Sequence, residues 1–259
     1  MKIWRWIVLG VVLLFVWVLL LAPPTLVANL AANAGLQLQG VSGSLWAGTA
    51  KSARLQLGKV RGNNLIFDIG EFSWRLEPFS LLALKACAEV ETQLTVQQVK
   101  GRVCASAAGN VRAENLRINF PASFIELMAP LEASGRVMLA LDDFQLSGAQ
   151  VEQMTGAGRI ENLNVLIGKD WQNFGHLNLQ VSAAAAPNSG FDFSLVSDDS
   201  ALQWQANAPE VRLGNQGFEM HLRSSLKLSE SYQLQWGEGL AMMGFEEKDG
   251  AYLIETRLP

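Results

Sequence analysis

From Leu36 onward, apolar and polar residues trade places with a period of two, and this rhythm constrains the fold more than any other feature. Successive side chains of a β-strand point to opposite faces, so the alternation marks strands with one buried and one wet face. Ala53, Leu55 and Leu57 alternate with Arg54 and Gln56, and Phe72, Trp74 and Leu76 with Ser73, Arg75 and Glu77. The rhythm returns at Leu177, Leu179 and Val181, at Phe191, Phe193 and Leu195, and at Leu202, Trp204 and Ala206. Phe218, Met220 and Leu222 oppose Glu219, His221 and Arg223; runs at Tyr232, Leu234 and Trp236 and near Tyr252 and Ile254 complete the series. Turn-forming clusters separate the runs, among them Pro187 to Gly190, Gly214 to Gly217 and Lys248 to Gly250. Strand after strand with short turns predicts a mainly β fold, an elongated, twisted antiparallel sheet. Only 17% of residues are charged and 23 are glycine, which fits β structure.

The start of the chain obeys a different rule. Ile3 to Ala22 carries one charge, Arg5, so about 17 uncharged apolar residues follow it, near the lower limit for a bilayer-spanning helix. Lys2 and Arg5 flank the amino-terminal side and no charge follows until Lys51, so the amino terminus is expected in the cytoplasm and the rest outside. A cleaved signal peptide shares the basic start and apolar core, but Pro23-Pro24 suits a helix stop better than a cleavage site, which favours a retained anchor. The predicted organisation is a transmembrane anchor over 1–22, a short juxtamembrane helix over 23–35 and an exported β-rich domain over 36–259. In the helix, Thr25 is the cap, Leu26, Leu30 and Ala34 share a side, and Gly35 ends it. Two more short helices are expected, PFSLLAL led by Pro78 and PASFIELMAP between Pro121 and Pro130.

Export gives Cys87 and Cys104 a meaning. A lone pair in an oxidising compartment predicts a disulfide, worth roughly 3 kcal/mol in the chain-entropy model. Two buried free thiols are the bland alternative, and a Cα separation above about 7 Å would exclude the bridge. With no CxxC and no nearby histidine, the pair does not read as a metal site.

Charge removes another class of partner. Without Lys2 and Arg5 the 20 basic residues become 18, against 24 acidic ones, a net of −6 with no basic stripe, so nucleic acid is not expected. Catalytic material is sparse. His176, which follows Gly175 at an expected strand start, and His221, on a polar face, stand on separate strands with no catalytic motif around them. Asp142-Asp143, Asp198-Asp199 and Glu246-Glu247 are adjacent pairs, which strand geometry points apart, so solvated turns explain them better than acid-base work. No phosphate-binding loop, nucleophile elbow, zinc helix or dinucleotide fingerprint is present. The expectation is a non-enzyme without cofactor or metal.

A weak repeat runs through the middle, with Gly109, Gly135 and Gly158 each heading an apolar alternation, 26 and 23 residues apart. It is consistent with successive hairpins of one sheet, and also with ordinary turn chemistry.

Gly40, Gly43 and Gly48 surround Trp46 in GVSGSLWAGTA. Glycines let backbones turn sharply or approach closely, and a tryptophan buries large apolar area, so the stretch reads as a tight turn with a core anchor. GSLWAGTA (Gly43 to Ala50) followed by FSWRLEPFSLL (Phe72 to Leu82), after an anchor and its Pro-Pro stop, resembles the type II secretion system protein N family. The resemblance spans nearly the whole chain and implies a non-catalytic inner-membrane component of the apparatus that exports folded proteins across the outer membrane of Gram-negative bacteria. It implies a single-pass protein with a periplasmic domain, other secretion components as partners, and structural roles for Gly43, Trp46, Gly48, Trp74 and Pro78. The rival expectation, at fold level only, is an AsmA-like module that handles lipid in an apolar groove of the sheet.

Overall fold

A computed structural model describes residues 4, 6, 7, 10, 22–33, 35–60, 63–127, 132–167, 169–183, 190–199, 201–214, 217–230, 232–233, 240–241 and 244–258. The predicted anchor over 1–22 lies for the most part outside them. Among the described residues no helix is long and apolar enough to cross a membrane.

The alternating runs form one antiparallel sheet, of fifteen strands among the described residues. In chain order they are β1 (Leu36–Gly43), β2 (Ala47–Val60), β3 (Asn63–Leu76), β4 (Lys85–Leu94), β5 (Gln97–Ser106), β6 (Val111–Pro121), β7 (Ala133–Ser147) and β8 (Gln150–Ile167). Then follow β9 (Asp170–Ala183), β10 (Phe191–Ser197), β11 (Leu202–Ala208), β12 (Val211–Gly214), β13 (Gly217–Leu228), β14 (Glu246–Lys248) and β15 (Ala251–Leu258). Strands β1 to β11 neighbour one another in sequence order, after which the sheet continues through β13 and β15 to β14.

Register explains why the alternation is so regular. One row of facing residues begins Val41, Ala50, Phe72, Thr92, Val99, Ile118, Leu139, passes along every strand of the main path through Trp204, Leu226 and Tyr252, and meets a charge only at Glu247 on the last strand. The Thr92 hydroxyl in this row accepts a bond from the Val99 N–H at 3.1 Å. The row beside it begins Ser42, Thr49, Ser73, Glu91, Lys100, Arg117 on the opposite face. A slip of one residue would exchange the two faces, so burial of the apolar row fixes the register.

The expected elongated sheet is not open throughout. β8 begins at Gln150, and its first register pair with β9 comes only at Gly156↔Val181, so its first turn-side residues outrun β9. They are met instead by β12, through Arg212↔Gln150. This bridge closes β8, β9, β10, β11, β13 and β12 into a small barrel-like ring with the other strands outside. Bulges in β7 and β8, one carrying Asn162 at φ 50°, supply the extra bend. Inside the curl, Ala133, Val137, Leu163, Leu177 and Tyr252 pack as one cluster, and Val151, Phe191, Ala208 and Leu222 as a second. Phe124 stacks on Phe67 at 5.2 Å and meets Phe120 edge-on at 5.6 Å, filling the inner face between β3 and β6.

Three local expectations need correction. Tyr232 and Gln233 are helical where a strand was predicted, and Leu234 and Trp236 lie outside the described residues. Gly158 heads no strand: it sits inside β8, where a Cβ would come within 2.5 Å of Leu139, so the glycine there makes room for a large neighbour. His176 lies within β9 rather than at its start, and its Nδ1 accepts the Asn162 N–H at 3.4 Å. The segments led by Pro78 and Ala122 are short 3-10 turns, Pro78–Ala83 and Ala122–Leu127.

Candidate functional site

The residues singled out in the sequence converge on one end of the sheet, where the chain enters the fold. The helix Thr25–Asn33 runs back along β1 and sets Val27 against a cluster of Ala50, Ala53, Phe72 and Trp74. Gly35, at φ +82°, ends it, and its carbonyl accepts the Gln56 N–H at 2.8 Å. At the other end of the helix the Leu45 N–H donates to the Ala22 carbonyl at 3.1 Å. The point where the leading apolar stretch ends is thereby stitched to the turn between β1 and β2.

That turn is built around glycine for a specific reason. Gly43 faces Gly48 across the hairpin at φ +102°, and a Cβ on Gly43 would lie 2.5 Å from the Ala47 carbonyl oxygen. A Cβ on Gly48 would lie 2.3 Å from the Trp74 ring. The indole therefore lies over the Gly48 backbone, where it is 4% exposed and donates its Nε1–H to the Leu45 carbonyl at 3.1 Å. Trp46 joins through its carbonyl, which accepts the Leu76 N–H at 2.7 Å.

The chain then passes into the turn led by Pro78. The Glu77 N–H donates to the Cys87 carbonyl at 2.8 Å, and the Cys87 N–H donates to Ser80 Oγ at 3.1 Å. Both main-chain groups of Cys87 thus point away from β5, so Cys87 and Cys104 face each other as a pair without mutual main-chain bonds, the arrangement in which side chains approach closest. Their Cα atoms are 4.0 Å apart and a disulfide joins them.

A charge ladder, not foreseen from the sequence, braces the same end. Arg102 holds Glu77 with two bonds of 2.8 Å and Glu114 with one of 2.7 Å. Arg112 links Glu114 at 3.2 Å to Asp143 at 2.9 Å. The Arg102 hydrogen bonds lower the Glu77 pKa below the ordinary carboxylate value, so Glu77 keeps its charge further into acid than a free glutamate does and loses it as pH falls through that lowered value. Partners 25 residues apart, as Glu77 and Arg102 are, become neighbours only once the register is known.

Elsewhere the polar residues serve structure. His221 is about half exposed and pairs with Glu255 at 3.0 Å, beside Arg223. Asp198 holds Arg159 at 2.8 Å, and Asp199 accepts the Ala201 N–H at 3.0 Å. Among the described residues no group of three or more His, Cys, Asp or Glu could hold a metal ion. The convergent end offers shape, apolar surface and hydrogen-bonding edges.

A family model described as "Type II secretion system (T2SS), protein N" matches residues 34–255. The chain belongs to that family. The match takes in the glycine-tryptophan corner, the disulfide and nearly the whole sheet, while the leading apolar stretch precedes it. No curated protein and no solved structure matches the chain.

Proposed function

We propose that this chain is a non-catalytic inner-membrane component of the type II secretion system. Its first 22 residues cross the membrane with the amino terminus in the cytoplasm, and its β domain stands in the periplasm, where it assists export of folded proteins across the outer membrane. The observation that carries this reading is the bond between Ala22 and Leu45: it sets the end of the leading stretch in a braced corner, as a tether that positions a body requires. The Cys87–Cys104 disulfide accords with an oxidising compartment.

The two ends of the sheet differ in a way that indicates where a partner docks. β14 is three exposed charged residues, Glu246 to Lys248, the kind of short charged edge that discourages pairing. β1 is eight residues long, LQLQGVSG, without a charge. It is suited to strand addition by another secretion component. A photocrosslinker at Gln39 is expected to capture such a component in secreting cells, while one at Glu247 captures none. Equal yields at both positions, or none at Gln39, would remove β1 as the docking edge.

A further inference from the structure

The turn led by Pro78 holds large apolar side chains out in water. Phe79 is 82% exposed, Leu82 85% and Leu84 77%, with Leu81 at 43%. No charge interrupts the stretch between Glu77 and Lys85. Side chains of this size gain free energy when taken out of water, so a fold that leaves them all exposed has a use for them outside itself.

The exposure is built. Ser80 Oγ donates to the Glu77 carbonyl at 2.6 Å while accepting the Cys87 N–H. Leu84 closes the turn at φ 54° with its N–H on the Leu81 carbonyl, and its own carbonyl accepts the Ala107 N–H at 3.4 Å. The disulfide and the Arg102 to Glu77 bonds fix the base. The apolar tip is presented on a rigid mount.

Position identifies what covers it. The turn joins β3 to β4 at the same end of the sheet as the β1–β2 turn that bonds Ala22, two strand spacings or roughly 10 Å along. A body tethered at Ala22 therefore brings this tip to the membrane surface. Exposed Lys85, next after the apolar run, stands where a lipid phosphate would meet it.

We infer that Phe79 to Leu84 form a second membrane contact, inserting into the periplasmic leaflet beside the anchor and setting the tilt of the sheet on the bilayer. This rests on the anchored reading above. The anchor then gives attachment, and the turn gives orientation.

The test uses the full chain in vesicles of phosphatidylethanolamine and phosphatidylglycerol, with an environment-sensitive fluorophore on Leu82→Cys, on Phe79→Cys, or on Val96→Cys, with the native disulfide kept. Val96, 52% exposed in the β4–β5 turn, marks the opposite end of the sheet. Nitroxide-labelled lipid is expected to quench the probes at 82 and 79 several-fold more than the one at 96. If the chain stays with the vesicles through an alkaline wash but all three probes behave alike, the second contact is wrong and the anchor stands. If the wash releases the chain, both readings fall. Shielding at 82 only after other secretion components are added would make the turn a protein-binding patch and overturn the inference.

Discussion

Trp74→Ala is expected to destabilise the folded chain by about 3–5 kcal/mol, as large-to-small changes at buried aromatic positions do. The indole covers Gly48, packs beside Phe72 at 6.1 Å and bonds the Leu45 carbonyl, so its loss opens the corner on three sides. Trp74→Phe keeps much of the packing and forfeits the Nε1–H bond, at about 1 kcal/mol. Gly48→Ala is costly while Trp74 is present and cheaper in the Trp74→Ala background; the relief is partial because the Ser42 carbonyl oxygen also stands 2.6 Å from the added Cβ. Urea unfolding of the four proteins measures the coupling. Simple additivity would show that the ring does not dictate the glycine.

Replacing both Cys87 and Cys104 with alanine is expected to cost roughly 3 kcal/mol by freeing the unfolded chain. The damage should also be local. Cys87 bonds Glu77 and Ser80 through its main chain, so loosening β4 against β5 releases the turn led by Pro78. Hydrogen exchange should quicken at Glu77 to Cys87 before it quickens in β10 or β11. Unchanged protection around the turn, alongside lower global stability, would confine the bridge to an unfolded-state effect.

The strands were legible in the sequence because a period of two states burial directly. Phe72 and Trp74 read as inward-facing, and both are buried on the same face of β3, Phe72 in the row that crosses the sheet and Trp74 two residues along. The closure by β12 was not legible, since it depends on how far β8 outruns β9, a matter of register between strands. Arg102, Glu77 and Glu114 are likewise scattered in sequence and meet only across β5, β6 and the neighbouring turn. The exposed apolar tip was hidden by the opposite problem: FSLLAL looks like core material, and only the geometry of the Pro78 turn turns it outward. At the candidate site, the glycines and tryptophans pointed to a tight corner. What they could not reveal was that Ala22, Trp46, Trp74 and Cys87 share it, through main-chain bonds and the Trp74 indole N–H.

The central claim is that this β body works only when held at the membrane by the stretch that ends at Ala22. Residues 23–259, exported behind a cleavable signal in cells lacking the native chain, test it directly once a non-reducing gel shows the disulfide formed. Secretion of folded substrates should stay at the level of cells without the protein; full recovery by the untethered body would contradict the account.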